Sequence, residues 1–303
     1  MPKEKYGKGF RFLPRSAILS FEEIYRVARL SVGTGVRKLR LTGGEPLLRA
    51  QLPALVQQLS NLEVDLAMTT NGSLLAKQAK PLRDAGLLRV TVSLDSLDDT
   101  IFRRMNDVDF PVSAVLEGIE AAAAAGLKVK VNCVVRKGVN DGSVVELARY
   151  FRGLGHTLRF IEFMDVGITN GWKLDNVLSG AQIIDRISQE VALEPVSPGY
   201  TGEVAKRWKY LDGSGEIGVI TSVTQPFCGD CSRLRLSANG QLYTCLFASQ
   251  GTDLRTTLRD GSDDDAVRSR LRDVWETRSD RYSERRNTHT KQLSRVEMSY
   301  IGG

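Results

Sequence analysis

The most constraining feature of this sequence is the alternation of short β-type runs with helical stretches between about residue 20 and residue 165. Helical stretches separate the runs, and Ser20 with Glu23 forms a capping box that predicts where the first helix begins. Five runs have the character of strands: VRKLRL (36–41), VDLAMTT (64–70), LLRVTVSL (87–94), KVKVNCVV (128–135) and TLRFIEFM (157–164). Strand–helix–strand units at this spacing form right-handed crossovers between parallel strands. The pattern therefore predicts an α/β fold with a parallel sheet covered by helices on its outer face.

Polar and glycine residues follow the strand candidates at the point where each strand ends. They are Thr42-Gly43-Gly44-Glu45, Thr69-Thr70-Asn71-Gly72, Ser93, Asp95 and Met164. Ligands bind at the carboxyl ends of parallel strands, which lie together at one rim. A single glycine-rich turn would more often simply end a strand. Several strand ends that all carry polar or glycine residues predict a functional site at this rim.

The alternation breaks after residue 165, where an amphipathic helix (GAQIIDRISQE) is followed by a turn rich in proline and glycine (EPVSPGYTG). We predict one region over residues 1–165 and a second, smaller region over residues 166–303. No apolar run approaches the ~20 residues that cross a bilayer. The N-terminus MPKEKYGKGF lacks the apolar segment of a secretory signal. These features predict a cytoplasmic enzyme that does not contact membranes.

The net charge of +6 favours an anionic partner, either nucleic acid or a phosphorylated small molecule. Basic residues are interspersed with acidic ones, as in RSDRYSERR (278–286). Aromatic residues do not alternate with the basic ones in a stacking pattern. The sequence therefore favours the small anion over nucleic acid, with most of the charge on a solvated face.

Three of the four cysteines form the pattern Cys-x2-Cys-x13-Cys: Cys228, Cys231 and Cys245. The fourth, Cys133, lies in an apolar run and is predicted to be a small buried residue. Thiolates bind zinc or iron–sulfur clusters, and a structural zinc site normally has four protein ligands. The two histidines, His156 and His289, lie far from the three cysteines in sequence. Three ligands suit a cluster with one open position, while zinc completed by a distant histidine is the alternative.

Two arginines follow the cysteine pattern within CSRLRLSANGQLYTCLF (231–247). If this segment is a hairpin that turns at Asn239-Gly240, the period of two places Arg233 and Arg235 on the same face. Two guanidinium groups beside a cluster would bind phosphate or carboxylate. An ordinary exposed strand face would have the same spacing.

Six segments stand out when they are taken together: RLTGGEPLLR (40–49), TTNG (69–72), VSLDSLD (92–98), LRFIEFM (158–164), FCGDCSRLRLSANGQLYTCLF (227–247) and the terminal Gly302-Gly303. Together they resemble the GTP 3′,8-cyclase family, the radical S-adenosylmethionine enzymes that make the first pterin intermediate of the molybdenum cofactor. The resemblance runs over essentially the whole chain. The cysteine segment, taken with the double-glycine end, is highly specific to this family.

The resemblance implies a partial (β/α) barrel whose side opening is covered by a smaller C-terminal α+β unit. It implies two [4Fe–4S] clusters, one that cleaves S-adenosylmethionine to a 5′-deoxyadenosyl radical and one that contacts the guanine of GTP. The radical takes hydrogen from ribose C3′, and the resulting C3′ radical attacks purine C8. It further implies cyclic pyranopterin monophosphate synthase as the next enzyme of the pathway, with a homodimer as one option for assembly.

Matching motifs carry the family's roles to individual residues. Contacts with S-adenosylmethionine are implied for Gly44, Ser93 and Met164. Contacts with GTP are implied for Arg40, Thr69, Lys130, Arg233, Leu234 and Arg235. Ligation of the second cluster is implied for Cys228, Cys231 and Cys245. A role at the reaction centre is implied for Arg235, Gly302 and Gly303, with the two glycines threading into the site.

One departure from the family concerns the ligands of the first cluster. The family carries a Cys-x3-Cys-x2-Cys loop whose last cysteine is typically followed by Met-Pro, and this sequence begins Met1-Pro2. We therefore expect an N-terminal truncation, with the first barrel strand and its three ligands upstream of residue 1. We expect the chain to be inactive in radical chemistry and the edge of VRKLRL to be unpaired. The alternatives are a degenerate GTP-binding paralogue and a zinc-stabilised nucleic-acid binder.

Overall fold

A computed structural model describes residues 13–107, 109–167, 169–200, 202–286 and 295–302, without the side chain of Ser299. Strands and helices alternate in the first half of the chain, as the sequence predicts. The strands there are β1 (Lys38–Leu41), β2 (Asp65–Thr70), β3 (Arg89–Ser93), β4 (Lys128–Val135) and β5 (Thr157–Glu162). The helices are α1 (Phe21–Gly33), α2 (Leu52–Ser60), α3 (Leu75–Asp84), α4 (Asp99–Asn106), α5 (Val112–Ala124) and α6 (Val144–Phe151).

The first helix begins at the predicted capping box. The Ser20 hydroxyl accepts the Glu23 backbone N–H at 3.2 Å, and the Glu23 carboxylate accepts the Ser20 N–H at 2.7 Å. These two bonds satisfy backbone donors that the first turn of a helix otherwise leaves unpaired. Local sequence chemistry therefore determines where α1 begins.

Strands β1 to β5 pair in parallel in the order of the sequence, which confirms the predicted α/β class. Three further strands extend the same sheet: β6 (Leu193–Val196), β7 (Lys206–Tyr210) and β8 (Glu216–Ile220). Strand β8 pairs in parallel with β5, and β7 and β6 follow in antiparallel order. The sheet therefore continues past residue 165, and the division predicted there does not coincide with a break in the sheet. At the opposite edge, β1 pairs only with β2 among the residues described above.

Helix α7 (Gly180–Ser188) packs against α6 and β5, with Ile183 and Ile187 in the main core. The remaining elements form a smaller unit that packs on the first helix. They are β9 (Arg235–Leu236), β10 (Gln241–Tyr243), β11 (Thr252–Asp253), α8 (Arg255–Arg259), α9 (Asp264–Glu276) and α10 (Met298–Ile301). Val27 and Leu30 of α1 share a hydrophobic cluster with Leu242 and Val267, and Arg26 Nε pairs with Asp264 at 2.8 Å. This packing fixes the cysteine-bearing unit against the sheet domain. None of the helices within the described ranges is long and apolar enough to cross a membrane.

The main core lies between the sheet and its outer helices, and Cys133 of β4 is fully buried in it, as predicted. Beside this cysteine lies Asp95, which follows β3 and is 6% exposed. Its carboxylate accepts the Val134 N–H at 2.8 Å, and its carbonyl accepts the Asn140 side-chain amide at 2.8 Å. Burial raises the pKa of Asp95 to about 6, against the opposing effect of the Val134 hydrogen bond.

Asp95→Asn should change how stability depends on pH. The pKa of Asp95 is about 6 in the folded chain and 3.8 ordinarily, so the folded state binds this proton more tightly and loses stability as pH rises through about 6. Asparagine keeps an acceptor for Val134 but cannot ionise. From about pH 4 to about pH 7, the free energy of unfolding should therefore shift by up to about 3 kcal/mol in favour of the variant.

Denaturant unfolding across this pH range measures the shift. Asp175→Asn, at an exposed position, is the matched control and should leave the pH dependence unchanged. Parallel pH profiles for wild type and Asp95→Asn would mean that Asp95 does not ionise with a raised pKa in the folded chain.

Candidate active site at the strand ends and on the concave face of the sheet

Three of the residues predicted to contact GTP lie on the same face of the sheet. Arg40 Nη1 of β1 donates to the Thr69 hydroxyl of β2 at 2.8 Å and to the Thr91 hydroxyl of β3 at 3.1 Å. Lys130 of β4 is directly opposite Thr91 in the parallel pairing. Arg40, Thr69 and Lys130 therefore share the face that helices do not cover, which we call the concave face.

Arg159 of β5 also belongs to the concave face, and the sequence interpretation missed it. Its Nε donates to the Asn132 side-chain oxygen at 2.9 Å. The pKa of Arg159 is lowered to about 10, chiefly by burial and in addition by the charge of Arg40. In the sequence, Arg159 alternates with the apolar residues Leu158 and Phe160 in TLRFIE. This alternation places the Arg159 side chain on the face of the strand that those buried residues do not occupy.

Positive charge exceeds negative charge on the concave face. Burial, as the largest cause, lowers the pKa of each of Lys38, Arg40 and Lys130. The carboxylates that act on these cations, among the described residues, are those of Asp65 and Glu216. Asp65 is itself paired with Lys38 at 3.8 Å and with Arg89. Cations in excess of their carboxylate partners favour an anionic ligand.

The residues predicted to contact S-adenosylmethionine lie at one rim, where β1, β3 and β5 end: Gly44, Ser93 and Met164. The turn after β1 requires glycine at Gly43, whose φ of +130° is disfavoured for other residues. Glu45 holds this turn against the next one, since its carboxylate accepts the Thr70 hydroxyl at 2.7 Å and the Asn71 N–H at 2.8 Å. Glu45 thus fixes two adjacent strand ends.

A second carboxylate, that of Glu162 at the end of β5, fixes the segment that leads to the cysteines. Its side chain is fully buried and accepts four hydrogen bonds. The donors are the N–H groups of Gly180 at 2.8 Å, Val223 at 2.8 Å and Thr224 at 2.9 Å, and the Thr224 hydroxyl at 2.5 Å. These bonds join β5 to the start of α7 and to the loop after β8, which continues to Cys228.

A third carboxylate, that of Asp165, joins the rim to the C-terminal segments. It accepts the Tyr282 hydroxyl at 2.6 Å, Arg286 Nε at 3.0 Å and Arg295 Nη1 at 2.8 Å. The Arg286 and Arg295 side chains are only 9% and 8% exposed, so these ion pairs are shielded from water. Asp165 follows Met164 directly, so the tail is fastened beside a predicted S-adenosylmethionine contact.

The three clustered cysteines lie among basic side chains. Arg233 Nε approaches Cys231 Sγ at 3.2 Å, and Arg278 donates to the Cys231 carbonyl. Burial acts to raise the pKa of Cys231, but the charge of Arg233 and hydrogen bonds from Arg233 and Arg278 outweigh it and hold the pKa below its ordinary value. Burial raises the pKa of Cys245, and the nearby Asp280 and Cys228 add to the increase.

The segment after Cys231 forms the predicted hairpin, with Gly240 in the turn at φ +81° and β9 antiparallel to β10. Strand β9 begins only at Arg235, so Arg233 precedes the strand. Arg233 and Arg235 are nevertheless close enough for the charge of Arg233 to lower the pKa of Arg235 further, to about 10, with burial as the largest cause. Leu234 packs its side chain against the hydrophobic cluster that contains Val27 and Leu242. Any contact of Leu234 with GTP would therefore involve its backbone.

The C-terminal tail connects this hairpin to the rim. Arg235 Nε donates to the Gly302 carbonyl at 3.1 Å. Gly302 is buried, has a φ of +73°, and leaves only 2.3 Å between an added Cβ and Thr42 Cγ2. Glycine is therefore required at this position by both conformation and space. Gly303 lies outside the described residues.

The described residues contain no group of three or more His, Cys, Asp or Glu side chains placed to hold a metal ion. His156 lies just before β5, at the opposite end of the strand from the rim, and His289 lies outside the described residues. His156 is therefore at the other end of the sheet from the loop that follows β8 and carries the cysteines.

Comparisons with known proteins agree with this arrangement. Residues 4–151 match the radical SAM superfamily model, and residues 156–284 match the model described as Molybdenum Cofactor Synthesis C. Among solved structures, Streptococcus suis SuiB bound to S-adenosylmethionine aligns with a TM-score of 0.62 at 16% identity, over 88% of this chain and 60% of SuiB. At this identity the likeness shows the fold alone, a radical SAM partial barrel.

Curated relatives named GTP 3′,8-cyclase match over nearly the whole chain. The relative from Acidothermus cellulolyticus is 53% identical, over 100% of this chain and 91% of its own length. The relative from Xanthomonas campestris pv. campestris is 52% identical, over 94% of this chain and 84% of its own. The relative from Staphylococcus saprophyticus is 44% identical, over 100% and 91%.

These matches give no support to the expected truncation or to the expected inactivity of the chain. They do bear out the resemblance that its motifs suggested. The chain belongs to the GTP 3′,8-cyclase family of molybdenum cofactor biosynthesis, within the radical SAM superfamily.

Proposed function

We propose that this chain converts GTP to (8S)-3′,8-cyclo-7,8-dihydroguanosine 5′-triphosphate. The concave face carries the proposal, because its cations outnumber the carboxylates that act on them. A triphosphate would neutralise these cations, and the guanine would reach towards the cysteine loop. The product would pass to cyclic pyranopterin monophosphate synthase as a metabolic partner, and a homodimer stays a prediction.

The triphosphate would lie between Arg40, Lys130 and Arg159. Burial lowers the pKa of each of these three cations, although Arg40 remains exposed and Lys130 and Arg159 are half-buried, so a bound phosphate chain would still displace water from them. Charge-assisted hydrogen bonds from guanidinium to phosphate are short, strong and often bidentate. Thr69 holds Arg40 in place through its hydroxyl.

The three thiolates would hold a [4Fe–4S] cluster, and the donor set fits this group. Arginine charges close to Cys231 and Cys245 offset the negative charge that thiolates bring into a partly buried loop. With three protein ligands, such a cluster supplies one open iron position for the guanine of GTP. Glu162 would help to fix the position of Cys228 relative to the sheet, because the Glu162 carboxylate accepts hydrogen bonds from the loop that precedes Cys228.

S-adenosylmethionine would lie at the rim, against Gly44, Ser93 and Met164. The iron–sulfur cluster that would cleave it to a 5′-deoxyadenosyl radical needs thiolate ligands of its own, and beyond the three clustered cysteines this sequence contains only Cys133. The turn at Gly43-Gly44 has no side chains, so the methionyl amine can approach its backbone closely. Cys133 does not suit a ligand of that cluster. It is fully buried, and burial together with Asp95 raises its pKa well above the ordinary value.

The tail would complete the site from the side of the cysteine unit. Arg235 would bind the nucleotide while its Nε holds the Gly302 carbonyl, so that substrate and tail are positioned by the same side chain. Gly302 packs against Thr42, next to the turn proposed to bind S-adenosylmethionine. This placement would exclude water from between the two reacting molecules, which protects a radical intermediate from side reactions.

Anaerobic reconstitution should load about four irons per chain at the three cysteines. The triple variant Cys228→Ser, Cys231→Ser, Cys245→Ser should lose this iron, because serine is a poor ligand for it. Cys133→Ser is the matched control and should retain the iron. Iron and sulfide content, together with the broad visible absorption of the cluster, measure the result. Zinc uptake without iron uptake would contradict the assignment.

Arg233→Ala and Arg235→Ala should each weaken GTP binding by about 1.5–3 kcal/mol, since each removes a charge-assisted hydrogen bond. Arg272→Ala, on an exposed position of α9, should have little effect and serves as the control for overall charge. Calorimetric titration with GTP at fixed ionic strength measures the difference. Equal losses for all three variants would indicate general electrostatic attraction instead of a defined site.

Gly302→Ala should detach the tail, because the new methyl group would collide with Thr42 and the residue would keep an unfavourable φ. Gly171→Ala separates these two causes, since Gly171 also has a positive φ of +61° but nothing within 4 Å of an added Cβ. Hydrogen exchange of the C-terminal peptide measures docking, through the Gly302 N–H that bonds to the Met298 carbonyl. Unchanged protection in Gly302→Ala would show that the tail does not need this close approach.

A further inference from the structure

Tyr200 lies at the concave face although it belongs to the turn that joins β6 to β7. Its ring lies 5.3 Å from Lys38 Nζ of β1, measured to the ring centroid. The residue is 57% exposed, so a ligand bound on this face could reach it. It is also close enough to Arg40 and Arg159 to act on the pKa of each, partly opposing the lowering that burial causes.

Residues on both sides of Tyr200 are joined to strand β7. Glu203 accepts the Gly199 N–H at 2.7 Å and pairs with Arg207 Nε at 3.3 Å. Arg207 in turn donates to the Ser197 carbonyl at 2.9 Å and pairs with Glu216 at 3.2 Å. These contacts attach the chain before and after Tyr200 to the sheet, so the residue is presented at the concave face by described neighbours that are themselves anchored there.

The same turn also reaches the cysteine loop. An added Cβ on Gly202 would lie 2.9 Å from the Asp230 carbonyl oxygen, and the φ of Gly202 is +81°. Asp230 lies between Cys228 and Cys231 in the sequence. The turn therefore spans the distance from the basic strands to the cysteines, along the path that a nucleotide bound to both would follow.

We propose that Tyr200 is a further substrate-binding residue, whose phenol donates a hydrogen bond to the phosphate chain of the nucleotide held by Arg40 and Arg159. The inference rests on the proposed function, since it needs a triphosphate on the concave face. A neutral donor is well suited to this place. It adds a hydrogen bond to phosphate without adding another buried charge beside cations that already repel one another.

Tyr200→Phe removes the hydroxyl and keeps the ring, and should raise the Kd for GTP about tenfold, in line with the loss of one hydrogen bond to a charged group. Tyr150→Phe is the matched control, because Tyr150 is 40% exposed on α6 and should bind GTP as the wild type does. Inorganic triphosphate, which carries only the phosphate chain, should compete with GTP about tenfold more weakly in Tyr200→Phe than in the wild type.

Three results would overturn the proposal. Wild-type affinity for GTP in Tyr200→Phe would remove the hydroxyl from the site. A loss with GTP but not with inorganic triphosphate would place the contact elsewhere on the nucleotide. A loss in Tyr200→Ala without one in Tyr200→Phe would mean that the ring stacks on the base.

Arg159→Ala separates this proposal from the proposed function. If Arg159→Ala leaves the binding of GTP and of inorganic triphosphate unchanged, the concave face is not a phosphate site and the proposed function loses its support. If Arg159→Ala weakens both while Tyr200→Phe weakens neither, only the role of Tyr200 is wrong. Binding is measured in each case by titration, so the result does not depend on turnover.

Discussion

Uncompensated positive charge on the concave face is the constraint around which the site is organised. Taking a cation out of water is costly unless an anion or a hydrogen bond replaces the lost hydration. Here Arg40 donates to two hydroxyls and Arg159 to an amide oxygen, neutral partners that orient the guanidinium groups without neutralising them. The charge of Arg40 lowers the proton affinity of Arg159 across the sheet, and the strands that carry the two arginines are held together by interactions elsewhere.

Those interactions are concentrated in carboxylates at the strand ends. Glu45, Glu162 and Asp165 each collect donors from segments that are distant in sequence, so each works as a junction between chain segments. A buried carboxylate with four hydrogen bonds is satisfied, but the loss of several donors would leave a costly charge. The consequence is a rim that is rigid at the points where the cysteine loop and the tail attach. This is the requirement for a site whose two ends lie on different units of the chain.

Much of this arrangement was predictable from local sequence. The capping box at Ser20, the parallel order of five strands, the hairpin at Asn239-Gly240 and the burial of Cys133 all follow from patterns a few residues long. Local pattern could not predict that strands β6 to β8 join the same sheet, because pairing of β8 with β5 depends on contacts across intervening segments. Local pattern also did not single out Glu162, Asp165 or Tyr200. The residues that each of them contacts are distant in the sequence, and such contacts leave no trace in hydrophobic periodicity or in composition.

The C-terminal tail and the Tyr200 turn each approach another segment closely at a glycine residue. A side chain at Gly302 would separate the tail from Thr42, and one at Gly202 would separate the Tyr200 turn from the cysteine loop. The first approach brings the tail against the Thr42 side chain, and the second brings Gly202 against the Asp230 carbonyl oxygen. Arg235, half-buried and with a pKa lowered to about 10, donates to a neutral carbonyl at Gly302. A guanidinium held by a neutral group retains most of its capacity to bind an anion. Under the proposed function, the tail would therefore orient Arg235 without neutralising its charge.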